Sequence, residues 1–178
     1  ISGKKPLVRY WMHTGFLTMN GEKMSKSLEN FITVRDFLEH HSPRLLRFFV
    51  LKTHYRSPID YSQELLVQTE QELERIDEFI DKIQNQKSIL SFDRVPRVHH
   101  GAKFPISKFK KQFQDAMEDD INTPKAVAAL FELVKKGNTL LAHLALNKDD
   151  AKDILALLKE IDAIFSFIFW QEKTANIP

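Results

Sequence analysis

The chain has 178 residues, of which 43% are hydrophobic and 28% are charged, an ordinary composition for a globular protein that buries a core. It contains no cysteine, which excludes a disulfide framework and a thiolate metal site. No apolar run reaches the ~18 residues that a membrane-spanning helix needs. The charge is uneven: residues 1–56 carry ten Lys or Arg against four acids, although the whole chain has a net charge of +2. This basic end predicts an anionic partner, with a solvated basic face as the simpler alternative.

Extended backbone is predicted at the start of the chain, over residues 7–20. The apolar run 16–19 ends at Asn20-Gly21, a dipeptide typical of the tight turn between two antiparallel strands. We therefore expect a pair of short strands here, with a register that the sequence leaves open.

Two short helices are predicted next. Thr33, followed three residues later by Asp36, has the pattern of a capping box. Ser42-Pro43 predicts the start of the second helix, because serine can accept a bond from a free amide and proline suits the first helical position. This helix is apolar on nearly all sides over residues 45–51, so we expect it to be buried and to end at Ser57-Pro58.

Longer helices are expected over the rest of the chain. The first begins at Ser62, with an acidic outer face and an apolar seam formed by Leu66, Thr69, Leu73, Ile76, Ile80 and Ile83. Residues 88–103 read as a loop. Further helices are predicted around residues 109–117, from Thr123-Pro124 with a weak point at Gly137, and over about 148–170. These elements predict a mainly α protein whose helices form an antiparallel bundle behind a small mixed segment.

The strongest chemical signal is Lys23-Met24-Ser25-Lys26-Ser27, which follows the predicted turn. Its two lysines and two serines can present ammonium and hydroxyl donors to one triphosphate. When a carboxylate attacks the α-phosphorus of ATP and pyrophosphate leaves, negative charge grows on the phosphate oxygens, and fixed cations lower that barrier. An exposed basic turn is the alternative for a generic Lys-Ser cluster, but the complete five-residue string is rare by chance.

This string matches the KMSKS signature of class I aminoacyl-tRNA synthetases, and its surroundings resemble cysteinyl-tRNA synthetases. The similar segments are residues 10–17, 21–30, 46–49, 54–58 and 61–62, and residues 119–126 are similar to the family's helical domain of the DALR type. The resemblance implies a short α/β remnant of a Rossmann-type catalytic domain at 1–30, a stem-contact fold at 31–62 and a DALR-type antiparallel helical bundle at 63–178.

The resemblance also implies roles for individual residues. Lys26 and Lys23 would be the catalytic cations, and Met24, Ser25 and Ser27 would complete the ATP-binding loop. Trp11 and His13 would lie close to the nucleotide pocket or shape it. The candidates for contact with tRNA in the stem-contact fold are Arg35, Arg47, Lys52, His54 and Arg56.

The implied activity is the ATP- and Mg²⁺-dependent activation of cysteine to cysteinyl-adenylate, followed by transfer to tRNA(Cys), in the cytoplasm and without a membrane. Zn²⁺ would belong to the full-length parent, with no metal ligand in this chain. Because the chain does not open with Met and lacks a His-x-Gly-His segment, we expect a fragment that needs the missing N-terminal part of the catalytic domain and is inactive alone. Glu29 stands where the family usually has Gly, and we expect it to slow or reposition loop closure.

Two alternative functions stay open at this point. One is a non-catalytic tRNA-binding helical module, and the other is the related ligase that joins cysteine to an aminosugar in mycothiol synthesis. The stem-contact segment and the long acidic helix argue mildly against the second. One local question also stays open: Arg56 either binds a tRNA phosphate or pairs internally. Asp119-Asp120 is expected to mark a helix boundary rather than a magnesium site.

Overall fold

The computed structural model describes residues 3, 8–25, 30–89, 104–143 and 145–169. These residues form six helices and three short strands, and the mainly α prediction is confirmed. In chain order the elements are β1 (Leu17–Met19), β2 (Glu22–Lys23), α1 (Val34–His40), α2 (Pro43–Leu51), β3 (Ile59–Tyr61), α3 (Gln63–Ile89), α4 (Ile106–Glu118), α5 (Thr123–Ala142) and α6 (Lys148–Phe165). Within the described ranges, none of the helices combines the length and apolarity that a bilayer crossing requires.

The small sheet has the strand order β2-β1-β3. The predicted hairpin is confirmed: β1 and β2 are antiparallel around Asn20-Gly21, whose φ angles of 51° and 81° suit a tight turn between twisted strands. The parallel pairing of β1 with β3 was not predicted, and it places Leu17 opposite Ile59. A strand was also expected before residue 17. This prediction is wrong for residues 8–16, which belong to no strand.

Both predicted caps at the start of α1 and α2 are confirmed. The Thr33 hydroxyl accepts the Asp36 amide while the Asp36 carboxylate accepts the Thr33 amide, at 3.1 and 2.9 Å. The Ser42 hydroxyl accepts the Leu45 amide at 3.1 Å. The predicted end of α2 at Ser57-Pro58 is wrong, because the helix stops at Leu51 and the chain turns back so that β3 can pair with β1.

The burial of α2 is one-sided, which corrects the expectation of an all-round buried helix. Leu45, Phe48 and Phe49 are buried, whereas Val50 is 44% exposed. The helix therefore packs one face on the bundle and leaves the other face to solvent or to a partner.

The apolar seam of α3 is confirmed, since all of its predicted members are buried. The acidic face of this helix is not all solvent-exposed as expected. Glu72 and Asp77 form ion pairs with Lys52 and Arg44, and a carboxylate oxygen of Glu70 lies 3.7 Å from His41 Nδ1. The helix continues to Ile89, into the predicted loop, and residues 90–103 of that loop lie outside the described residues.

The residue that caps the start of α5 is Asn122, one position before the predicted cap, Thr123. Asn122 is the N-cap and accepts the Lys125 amide at 3.2 Å. Thr123 lies inside the helix, and its hydroxyl donates to the Thr53 carbonyl at 3.4 Å. Gly137 does not interrupt the helix. It is buried against Phe79, which needs the space that a side chain would fill.

The last helix ends at Phe165, so the predicted end near residue 170 is wrong. Ser166 adopts a left-handed φ of 53°, which ends the helix. The Asp162 carboxylate then accepts the amides of Phe167 and Ile168 at 2.8 and 2.6 Å. This turn sends Phe167 back into the core.

Arg44 fastens α2 to the bundle. Its two terminal nitrogens donate to the two carboxylate oxygens of Asp77 at 2.7 and 2.6 Å, and its Nε donates to the Phe167 carbonyl at 2.6 Å. Phe48 packs on Phe167 with 4.6 Å between ring centroids. The segment between the sheet and the bundle is therefore fixed by a planar, fork-shaped cation on one side and by aromatic packing on the other.

Candidate functional site

The β1–β2 hairpin carries the first residues of the signature. Lys23 is the last residue of β2; its side chain is exposed, and its ammonium lies 4.8 Å from the centroid of the Phe16 ring. The Met24 amide donates to the Leu17 carbonyl at 3.1 Å, which extends the pairing one residue beyond β2. The backbone is thus held by the hairpin up to Met24, and the signature loop starts from a defined point.

Asn30 closes the base of the signature loop. Its Oδ1 accepts the Ser25 amide at 2.9 Å, and its Nδ2 donates to the Lys23 carbonyl at 3.3 Å. A side-chain amide has both the acceptor and the donor that this bridge requires. Lys26 and Ser27 lie outside the described residues, together with Glu29, so the roles predicted for them stay predictions.

Asp60, at the centre of β3, fixes the turn of the hairpin. One of its carboxylate oxygens accepts both the Gly21 amide and the Thr18 hydroxyl, at 2.8 and 2.7 Å. These bonds, first that of Gly21 and then that of Thr18, hold the pKa of Asp60 below its ordinary value of 3.8. Sequence reasoning missed Asp60, because its role depends on the parallel pairing of β3 with β1.

The five candidate tRNA-contact residues divide into two groups. Arg35 on α1 and Arg47 on α2 are exposed, and no ion pair to either is formed among the described residues. Lys52 is instead engaged inside the protein, where its ammonium lies 2.7 Å from Glu72 Oε2 and 3.2 Å from the Thr69 hydroxyl.

His54 and Arg56 belong to a cluster around Asp120, in the turn between α4 and α5. Arg56 Nε lies 2.7 Å from Asp120 Oδ2, and the Tyr55 hydroxyl donates to Asp120 Oδ1 at 2.7 Å. His54 stacks on Tyr55, with 4.9 Å between the ring centroids. Of the two alternatives for Arg56, the structure shows the internal pair, while 65% of its side chain remains exposed.

The Asp119-Asp120 prediction of a helix boundary is confirmed, because both residues directly follow α4. The Asp119 carboxylate pairs with Lys125 at 3.2 Å. Among the residues that the structure describes, no group of three or more His, Asp or Glu is arranged to hold a metal ion.

Large apolar side chains are exposed at the sheet end of the molecule. Tyr10, Trp11 and Phe16 are 86%, 76% and 67% exposed. These exposed aromatic side chains are candidates for contact with another chain segment or a ligand. The part predicted for Trp11 and His13 in shaping a nucleotide pocket stays a prediction.

Comparison with known proteins places both ends of the chain. Residues 1–71 match the family described as "tRNA synthetases class I (C) catalytic domain", and residues 112–169 match the "DALR domain". The boundaries predicted at residues 30 and 62 stay a prediction, and the β1–β3 pairing crosses the first of them.

Similar curated proteins are called cysteine–tRNA ligase. That of Carboxydothermus hydrogenoformans is 45% identical over 165 residues, which are 93% of this chain and 34% of the relative. That of Thermococcus onnurineus is 37% identical over 175 residues, which are 95% of this chain and 37% of the relative. The chain thus spans about a third of the length of the curated relatives that it matches.

Proposed function

Because this chain belongs to the class I aminoacyl-tRNA synthetases, we propose that it forms one part of a cysteine–tRNA ligase. The whole protein would activate cysteine with ATP to cysteinyl-adenylate and transfer the cysteinyl group to tRNA(Cys), in the cytoplasm. One observation carries the proposal: the complete signature begins at the end of a well-fixed hairpin, inside the segment that matches the class I catalytic domain.

Lys23 and Lys26 are the proposed cations for the leaving group. As an oxygen of the cysteine carboxylate attacks the α-phosphorus of ATP, the bond from that phosphorus to the bridging oxygen breaks, and its electron pair leaves with pyrophosphate. Ammonium groups held close to the departing oxygens stabilise this charge. Because the Asn30 bonds fix both ends of the loop base, fewer loop conformations have to be searched to bring Lys26 to the phosphates.

ATP is proposed to bind together with Mg²⁺, which would offset part of the triphosphate charge. Among the described residues nothing fits Zn²⁺, because they contain no cluster of acids and histidines that could hold a metal, and the sequence supplies no cysteine. We therefore assign the zinc of the proposed ligase to residues outside this chain and route no step through it.

The rest of the catalytic domain is the proposed partner of the exposed apolar surface around Tyr10, Trp11 and Phe16. The relatives are about three times as long as the segment matched here, so a large part of their chain is available to cover it. This contact would place the signature loop against the nucleotide. We therefore propose that adenylation requires the whole protein.

Arg35 and Arg47 are the proposed first contacts with tRNA phosphates, because both side chains are exposed and neither forms an ion pair with a described residue. Lys52 pairs with Glu72 and His54 stacks on Tyr55, so we rank these two candidates after the two arginines, and Arg56 would use its exposed side. Contacts to phosphate give affinity that depends on salt and not on base sequence.

Pyrophosphate exchange tests the adenylation step. In the full-length protein that carries this chain, cysteine-dependent exchange of pyrophosphate into ATP should fall by about 100-fold or more in Lys26→Ala, the loss typical of removing one group that stabilises transition-state charge. Lys136→Ala, which removes an exposed lysine of α5 far along the chain, is the matched control and should leave exchange unchanged. Unchanged exchange in folded Lys26→Ala protein would overturn the proposal.

Salt dependence tests the tRNA contact. Each of Arg35→Ala and Arg47→Ala should lower tRNA affinity and reduce the slope of log affinity against log salt by about 1, with pyrophosphate exchange unaffected. Binding of tRNA without any cysteine-dependent exchange in the whole protein would instead favour the non-catalytic RNA-binding module. Exchange without charging of tRNA, with an aminosugar as acceptor, would favour the mycothiol-type ligase.

A further inference from the structure

We propose that Asp120 is a positioning residue for the signature loop, because it anchors the turn at residues 54–58 that supports the β1–β2 hairpin. This inference rests on the proposed function and adds a role for a residue of the helical bundle. It links the turn between α4 and α5 to the loop that handles ATP.

Asp120 contacts the side chains of three consecutive residues of the turn, His54, Tyr55 and Arg56. Its Oδ1 accepts the Tyr55 hydroxyl at 2.7 Å and Arg56 Nη2 at 3.1 Å, and its Oδ2 lies 2.7 Å from Arg56 Nε. His54 Nε2 is 3.9 Å from Oδ2. The hydrogen bonds of Tyr55 and Arg56 hold the pKa of Asp120 below its ordinary value, so the carboxylate is ionised at neutral pH.

The backbone at Asp120 is held in an unusual conformation next to the end of α4. Asp120 and Ile121 both have a φ of 54°, in the left-handed region that a β-branched residue rarely adopts. Such a conformation costs on the order of 1–3 kcal/mol per residue and persists where surrounding contacts fix it. Here the amides of Ile121 and Asn122 donate to the Met117 and Ala116 carbonyls at the end of α4. The bundle thus presents the carboxylate from a fixed position.

The turn at residues 54–58 is hydrogen-bonded to the chain that leads into β1. The Gly15 amide donates to the Tyr55 carbonyl at 2.8 Å, and the Ile59 amide donates to the Phe16 carbonyl at 2.9 Å. A Cβ on Gly15 would lie 2.1 Å from the Ser57 carbonyl oxygen, so the two segments touch backbone to backbone. Displacing this turn must therefore displace the chain that enters β1.

β1 is connected to the signature loop through its pairing with β2. β1 pairs directly with β2, and the Met24 amide donates to the Leu17 carbonyl, so the strand sets where the loop begins. Asp60 ties the hairpin turn to β3 in addition. A loop that starts from a shifted base reaches the same phosphates less often, although its own residues are unchanged.

Kinetics of pyrophosphate exchange in the full-length protein test the proposal. Asp120→Ala should lower kcat/KM for ATP by about 2- to 30-fold, the range found for residues that act on a site through their neighbours. Asp119→Ala is the matched control: it removes the adjacent carboxylate, which pairs with Lys125 and not with the turn, and should have no effect. Equal effects of the two variants would overturn the proposal.

A double-mutant cycle distinguishes positioning from general destabilisation. If Asp120 acts through Arg56, then Asp120→Ala combined with Arg56→Met should lose little more kcat/KM than either single variant. Losses that multiply would refute a shared path. Asp120→Asn, which keeps an acceptor for Tyr55 but removes the charge, should have an intermediate effect.

Hydrogen exchange gives a readout that does not depend on activity. In Asp120→Asn the Gly15 amide should exchange faster, while amides in the middle of α3 should keep their protection. Unchanged protection of Gly15 would overturn the proposal even if activity falls. Failure of the proposed function is recognised separately: the unsubstituted full-length protein would show no cysteine-dependent exchange, and both proposals would then fall.

Discussion

Replacing Gly137 by alanine should destabilise the protein, although alanine is the better helix former. Removing a glycine from a helix interior is worth about 0.5–1 kcal/mol. A Cβ at this position, however, would lie 2.3 Å from Phe79 Cζ and 2.5 Å from Phe79 Cε2. Phe79 has no exposed surface and sits in the core, so it has little room to retreat, and overpacking of this kind costs about 1–3 kcal/mol. We expect a net loss of about 1 kcal/mol.

Urea unfolding, followed by circular dichroism, measures this difference as a lower midpoint with an unchanged slope. Thr139→Ala is the matched control, because it changes an exposed position of the same helix. Phe79→Leu should relieve the clash, so Gly137→Ala should be less harmful, or stabilising, in that background. A rise in stability for Gly137→Ala alone would refute the packing argument and leave helix propensity as the larger effect.

Two further predictions concern the fixation of α2 and of the hairpin. Arg44→Lys should destabilise the protein by about 1–3 kcal/mol, because a lysine cannot make both bonds to Asp77 and the bond to the Phe167 carbonyl; an unchanged urea midpoint would contradict this. The lowered pKa of Asp60 means that its contribution to stability is complete above pH 3.8 and is lost as the pH falls through the lower folded-state pKa. The NMR shift of the Gly21 amide should follow that titration with a midpoint below 3.8, and a midpoint above it would show that the carboxylate gains nothing from the hairpin.

The sequence was most informative where one turn of chain contains both partners. The capping box of Thr33 and Asp36 and the serine cap of α2 depend on groups three residues apart, and both are present. The seam of α3 depends on the helical period alone, and its predicted members are buried. Local geometry and periodicity were sufficient for these elements.

Features that join distant segments could not be predicted in this way. The end of α2, the parallel strand β3 and the part played by Asp60 all follow from one pairing between residues 17–19 and 59–61. Gly137 looked like a weak point of a helix because its neighbour Phe79 lies far away in sequence. Likewise, the lysines of the signature were recognised from the sequence motif alone. The hydrogen bonds of Asn30 to Ser25 and Lys23 were recognised only in the structure.

The charge of the first 56 residues shows the same difference between a count and an arrangement. Their excess of basic residues predicted an anionic partner, yet several of these cations are neutralised by acids that come later in the chain: Arg44 by Asp77, Lys52 by Glu72 and Arg56 by Asp120. The positive field that remains therefore comes from fewer positions than the sequence suggests. The proposed nucleotide loop is one source of that field, and Arg35 and Arg47, which form no ion pair with the described residues, are another. The proposed ATP and tRNA contacts should therefore respond to different substitutions.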